Sequence, residues 1–338
     1  MMELPQLRNP TSASAALHPV VMADGWRVLV VVKEVSQILA SGALRPVRRA
    51  HVRLADEPWP SSDSRPGSIR YPHDLAPRKP STDIIVVGDA IAPGDKPVRE
   101  LDVRVEVGPV ACSLRVFGPR SWYDAGSRVA PTDPLPFTRA PLRWENAFGG
   151  IDDSNPDAVL EEARNPLGRG LSRDGQALIG KPLPQVEDPT CPIESHRTRP
   201  PPAGVGAIGP SFEPRRSAAG THDESWVRHR MPLPPMDLDE RFHQVAPPDL
   251  RSDGPLEGGE RVRLLGLHRD GPISLSLPRR AFTVEAPSDG GVESKRMMLD
   301  TILIEPNDMK LELTWRTTFA WPRLSARRAT LHVRQERA

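Results

Sequence analysis

The sequence predicts a mainly β fold: packed antiparallel sheets, sandwich-like, with a long ordered Pro/Gly-rich loop region and few short helices. Three observations predict it. Proline takes 40 of the 338 positions, and each one removes a backbone donor and disfavours a helix interior. Near both ends of the chain, apolar residues alternate with polar ones at the period of a half-buried strand. Between about Gly118 and Gly258 both the strand and the helix period are lost, and Pro, Gly, Asn and Asp punctuate isolated aromatics.

Taken in order, Trp26 to Val35 is a run of Val and Leu suited to a central, mostly buried strand, and Thr82 to Gly88 is a shorter apolar run ending in glycine. In Val98 to Val107, Leu101, Val103, Val105 and Val107 alternate with Asp102, Arg104 and Glu106. The Gly108-Pro109 turn then leads to Cys112, Leu114 and Val116, which predicts a hairpin. In the irregular segment, Trp122, Phe137, Trp144, Phe148, Phe212, Trp226 and Phe242 are too many large apolar anchors for a solvated linker, so these loops are expected to lie over the sheets. Thr221 to Arg230 predicts one short helix, with Thr221 as N-cap, Glu224 completing a capping box and Trp226 facing inward. From Glu260, Val262 and Leu264, then Ile273, Leu275 and Leu277, then Phe282 and Val284 read as a meander. Met297 to Glu305 and Met309 to Phe319 flank Pro306-Asn307-Asp308 as a second hairpin. No internal repeat is visible. The expected organisation is one domain over residues 1–338, strand-rich at 20–118 and 258–335 and irregular at 119–257.

Charge excludes some roles. Lys and Arg total 45 against 44 for Asp and Glu, so the chain lacks the field that nucleic acid or an anionic membrane would exploit. Cys112 and Cys191 form no CxxC pair and indicate neither a zinc site nor a disulfide framework, as suits a reducing cytoplasm. Residues 1–16 show no signal-peptide pattern, and no stretch has the length of an apolar membrane span. The expectation is a soluble, cytoplasmic protein.

Motifs for catalysis are weak. Gly204, Gly206 and Gly209 follow Pro200 to Pro202 and precede no helix, so they build no phosphate cradle. GxSxG, HExxH and EF-hand patterns are absent, and Ser195-His196 lies in a Pro-rich stretch without a nucleophile elbow. His222, Asp223 and Glu224, with Asp237, Asp239 and His243 downstream, have the chemistry of metal ligands or an acid/base pair. Their positions in a first helical turn and beside another turn favour a structural role. Arg139, Arg143, Arg164, Arg169, Arg215 and Arg216 are better placed to donate to loop carbonyls than to read a partner. No enzymatic activity, cofactor or metal is therefore expected.

Several motifs occur in order: Leu7-Arg8-Asn9-Pro10-Thr11, Arg53-Leu54-Ala55-Asp56-Glu57-Pro58-Trp59, residues 71–80 (YPHDLAPRKP) and Asp83-Ile84-Ile85-Val86-Val87-Gly88. Further on come Trp144-Glu145-Asn146-Ala147-Phe148-Gly149-Gly150, Arg164-Asn165-Pro166-Leu167-Gly168-Arg169-Gly170, residues 183–189 (LPQVEDP) and Ala246-Pro247-Pro248-Asp249-Leu250. Together, from Leu7 to about Pro322, they resemble the bacterial family called domain of unknown function 2169. The resemblance implies a type VI secretion accessory protein, an adaptor or chaperone that helps load a toxic effector onto the secreted spike, and it brings no catalytic residue set. The partners implied are a secreted effector or a spike-tip protein, with neither nucleic acid nor membrane. Arg143, Trp144, Phe148 and Trp226 are the candidate contacts, with core packing the competing role for each. Two other readings stand beside it: a carbohydrate-binding or carbohydrate-active β-sandwich, suggested by scattered Trp and acidic residues, and a metal-dependent hydrolase centred on His222, Asp223 and His243.

Overall fold

The computed structural model describes residues 4–47, 50–61, 66–288, 290–320 and 329–336. The end of the motif series near Pro322 lies outside them. Three larger sheets carry the fold. The first runs, in spatial order, through Ser14–Met22, Gly25–Ile38, Lys310–Ala320, Met298–Glu305 and Asp83–Val86, with Leu44–Val47 also paired to Gly25–Ile38. Gly25–Ile38 is central, as its unbroken apolar run predicts, and its antiparallel register with Lys310–Ala320 extends from Arg27 to Gln37. Asp83–Val86 closes the edge parallel to Met298–Glu305.

The second sheet orders Val186–Glu187, Val110–Phe117, Glu100–Val107, Arg261–Leu265 and Ile273–Ser276. Both predicted hairpins form, one here and one in the first sheet. The predicted meander divides instead. Arg261–Leu265 and Ile273–Ser276 stay beside the first hairpin, whereas Ala281–Ser288 joins a third sheet with Gln6–Arg8, Thr330–Glu336 and Gly291–Arg296. Pro278 cannot donate to a ladder, and Phe282 beyond it is buried edge-on against Trp315, with ring centroids 4.9 Å apart. Val30 and Val32, Val105 and Leu264, and Phe282 and Val333 belong to one contiguous core fed by all three sheets.

The intervening segment consists of two- and three-residue strands, one-turn 3₁₀ helices and two short α-helices, Arg215–Ala218 and Glu224–His229. The second is the helix expected near Thr221, but its N-cap is Asp223, whose Oδ1 accepts from the Trp226 N–H at 2.8 Å. Thr221 is held elsewhere: its N–H and hydroxyl both donate to the Asp237 carboxylate, at 3.0 and 2.7 Å. No helix among the described residues is long and apolar enough to cross a membrane.

Alternation in Lys310–Ala320 puts Leu311, Leu313 and Trp315 on one face and Glu312, Thr314 and Arg316 on the other. Both faces are buried: Glu312 is 3 % and Arg316 4 % exposed. The segment from Arg53 to Lys79 brings complementary charges over the polar face. Lys33 Nζ lies 2.9 Å from Asp74 and 3.1 Å from Glu312, and Arg53 grips Glu312 with two bonds of 2.8 and 3.1 Å. Arg316 bridges Asp74 and Asp300, Lys79 reaches Asp83 at 2.7 Å, and Lys310 at the rim meets Glu305 and Glu312 at 2.7 and 2.9 Å. Five cations thus meet five anions, so the layer is neutral, which is the condition under which buried ions are tolerated. Burial acts to raise the Glu312 carboxyl, but Arg53 and Lys33 outweigh it and hold the pKa at about 2.

Glu312→Gln leaves Arg53, Lys33 and Lys310 short of an anion, and the expected loss of unfolding free energy is about 3–5 kcal/mol by urea denaturation. Because folding depresses this carboxyl, its contribution is complete above the unfolded value of 4.5 and disappears as pH falls toward 2. The variant should therefore lose less stability than the wild type over that interval; an identical acid profile would show that Glu312 does not contribute.

Candidate functional site

An apolar concavity of about 620 Å³ opens between the first hairpin and the irregular segment. One wall is Ala111 to Leu114. Pro201, Pro202, Ala203 and Gly204 also line it, with Asp188–Thr190, Pro214 and Pro247–Asp249. The prolines give this lining carbon surface without backbone donors.

Trp144 forms the floor. It opens a 3₁₀ turn, Trp144–Asn146, and its Nε1–H donates to the carbonyls of Gly206 and Ala207, at 3.2 and 3.0 Å. Phe212 meets the ring edge-on at 5.8 Å. A side chain at Gly204 would stand 2.9 Å from the far edge of the indole, which explains a glycine that no phosphate motif accounts for. Two of the resemblance motifs hold this floor between them. Asn165, fully buried, donates from Nδ2 to the carbonyls of Trp144 and Phe148, at 2.9 and 3.0 Å. Arg169 donates to the Glu145 carbonyl at 2.6 Å and to Asn146 Oδ1 at 2.8 Å.

The four residues singled out from the sequence have different fates. Trp144 is 5 % exposed and reaches the cleft with one edge. Phe148 is 2 % exposed and packs with Trp122, Val129, Leu178, Leu183 and Ile193 in a satellite core, closed off from any partner. Arg143 is half-buried, its guanidinium 4.2 Å from the Trp59 ring centroid, and Arg70 also stacks on that ring at 4.5 Å. Trp226 is half-buried on an otherwise largely exposed helix, donating to the Leu233 carbonyl at 2.9 Å and meeting His222 edge-on. Of the four, only Trp144 lines the cleft.

The histidine and carboxylate cluster does not converge. Asp223 caps its helix, Asp237 holds Thr221, and Asp239 caps the Glu240–His243 turn through the Arg241 N–H at 2.8 Å. Among the described residues no group of three or more His, Cys, Asp or Glu side chains is arranged to hold a metal ion. Sequence reasoning missed the lining residues Ala111, Ser113, Pro201, Pro202, Pro247 and Pro248. The signal available was the recurrence of consecutive prolines, at Pro200 to Pro202 and at Pro247-Pro248 before Asp249.

A family model described as "Uncharacterized protein conserved in bacteria (DUF2169)" matches residues 24–316. No curated protein and no solved structure matches the chain.

Cys112, in the cleft wall, has its thiol pushed up to about 12 by burial and by the nearby Asp249 and Asp188 carboxylates. At pH 8 it should alkylate with iodoacetamide on the order of a hundredfold more slowly than a free cysteine, because the thiolate fraction falls further than its nucleophilicity rises. Mass spectrometry of the Cys112 peptide reads this out, and labelling at the rate of a free thiol would contradict the assigned environment.

Proposed function

The chain belongs to the DUF2169 family of bacterial proteins, and from that premise we propose that it is a non-catalytic adaptor of type VI secretion. It binds a toxic effector in the cytoplasm and helps load it onto the secreted spike. The observation that carries this reading is the cleft. An open, proline-walled concavity with an indole floor offers apolar contact to a polypeptide. Its lining is poorly suited to bond-making chemistry. The cleft thiol is held protonated, Arg164 is paired with Glu162 at 2.7 Å, and the Asp188 carboxylate is engaged by the Thr190 N–H and hydroxyl. A contact of this size suits transient escort, since the cargo has to leave before secretion.

Affinity-tagged protein expressed in cells that produce the secretion apparatus should co-purify with an effector or spike component encoded beside it. Deletion of its gene should abolish secretion of that effector while leaving the effector's synthesis intact. Recovery of the protein alone, with effector secretion unchanged in the deletion strain, would overturn the reading. So would specific binding to a glycan array with no polypeptide recovered.

A further inference from the structure

Resting on the adaptor reading, we propose that the cleft takes its polypeptide partner as an added β-strand, docked on the free outer edge of residues 110–114. The hairpin register determines which groups are free. Val107 faces Val110, Val105 faces Cys112 and Val103 faces Leu114. Gly108, with φ +55°, turns its N–H the other way, to the Arg261 carbonyl at 2.9 Å. Val103, Val105 and Val107 therefore bond toward the second hairpin strand, and in that strand Val110, Cys112 and Leu114 bond back. Ala111, Ser113, Arg115 and Phe117 turn their N–H and carbonyl groups outward. At the far end these groups are used: the Phe117 N–H donates to the Gln185 carbonyl at 2.8 Å, and Arg115 pairs with Glu187.

That pairing stops at Glu187. The next residues on the same path are Asp188 and Pro189, and proline has no N–H to continue the ladder. The chain turns away, with the Cys191 N–H returning to the Asp188 carbonyl at 3.1 Å. Among the described residues nothing hydrogen-bonds to the backbone of Ala111 or Ser113. Both residues line the cleft, and Ala111 is exposed.

Edges of this kind are normally blunted by Lys, Pro or a covering element. The opposite edge of the same sheet, Ile273–Ser276, is bracketed by Pro272 and Pro278. Val110-Ala111-Cys112-Ser113-Leu114 has Pro109 before it in the turn, but no Pro or Lys within it and no Pro directly after it. An occupant that fills the cleft also desolvates the outward groups of Ala111 and Ser113, and only another extended backbone supplies both a donor and an acceptor at strand spacing. A helix or a small apolar molecule leaves them unmet. The side chains of such a strand alternate in direction, so every second one meets a lining rich in proline, and Asp188 and Asp249 line the same cleft. Asp249 is exposed and makes no ion pair among the described residues. The partner is thus an extended segment with apolar residues at every second position and a basic residue beside them.

The test uses the effector recovered with the wild-type protein, together with fifteen-residue synthetic peptides tiled across it. Ala111→Pro and Ser113→Pro each delete one outward N–H without removing a hairpin bond. With thermal unfolding unchanged, each should weaken the effector and one peptide by at least tenfold. As a readout independent of variants, the Ala111 and Ser113 amides should exchange with solvent freely in the isolated protein and at least tenfold more slowly in the complex. Unchanged affinity in both variants, or no added protection at the two amides on binding, would overturn strand addition while leaving the adaptor reading standing. A dimer of this chain that Ala111→Pro dissociates would also overturn it, by assigning the edge to a second copy. Failure of the wild-type protein to recover any effector counts against the adaptor reading itself.

Discussion

Ten charged groups packed between the first sheet and the Arg53–Lys79 segment, nine of them buried and Lys310 at the rim, are the constraint on which the rest of the structure depends. A carboxylate in that position is tolerated only when cations are placed around it, so each ion dictates where another part of the chain must run. Lys33 on the central strand fixes Asp74, Asp74 takes the Arg53 N–H at 2.8 Å, and Arg53 returns to Glu312 on the neighbouring strand. Lys79 then holds Asp83, whose carboxylate also accepts from the Val245 N–H at 2.8 Å.

That last contact links the charged layer to the cleft. Asp83–Val86 is the edge strand of the first sheet, and the loops that wall the cleft hang from it. The Val86 N–H donates to the Val205 carbonyl at 2.9 Å, the Ile208 N–H to the Val245 carbonyl at 2.8 Å, and Gln244 Nε2 to Ser81 Oγ at 2.6 Å. On the other side, Glu145 accepts from the Ser68 N–H and hydroxyl, which ties the Trp144 turn to the covering segment. A chain this rich in proline has few internal ladders in its loops, so it borrows rigidity from side chains and sheet edges instead. The open strand edge at Ala111 and Ser113 then faces a wall held in place by something other than its own backbone pairing.

Much of this architecture was legible in the sequence, and the exceptions have a common cause. Alternation within Glu100–Val107, Val110–Phe117 and Lys310–Ala320 revealed two hairpins, because the register between neighbours in sequence is set locally by the turn. The departure of Ala281–Ser288 from its meander was not legible, since its partner Thr330–Glu336 lies far along the chain. Nothing in the sequence pairs Lys33, Arg53, Asp74 and Glu312 with one another, and only the fold brings them together in a buried layer. At the site, Trp144 was found as an aromatic anchor beside Arg143, yet Phe148, four residues on, belongs to a separate core. The cleft wall was hidden because prolines in a loop carry no periodicity from which a shared surface can be inferred.

Amide hydrogen exchange on Asp83→Asn tests most directly whether the charged layer positions the cleft. The account predicts faster exchange at Val86, Ile208, Val245 and Leu250, whose N–H groups make the bonds that hang these loops from the edge strand or close their turns, with the hairpin amides of Val105 and Cys112 unchanged. Loss of protection spread evenly over the hairpin and the loops, or loops as protected as in the wild type, would contradict it.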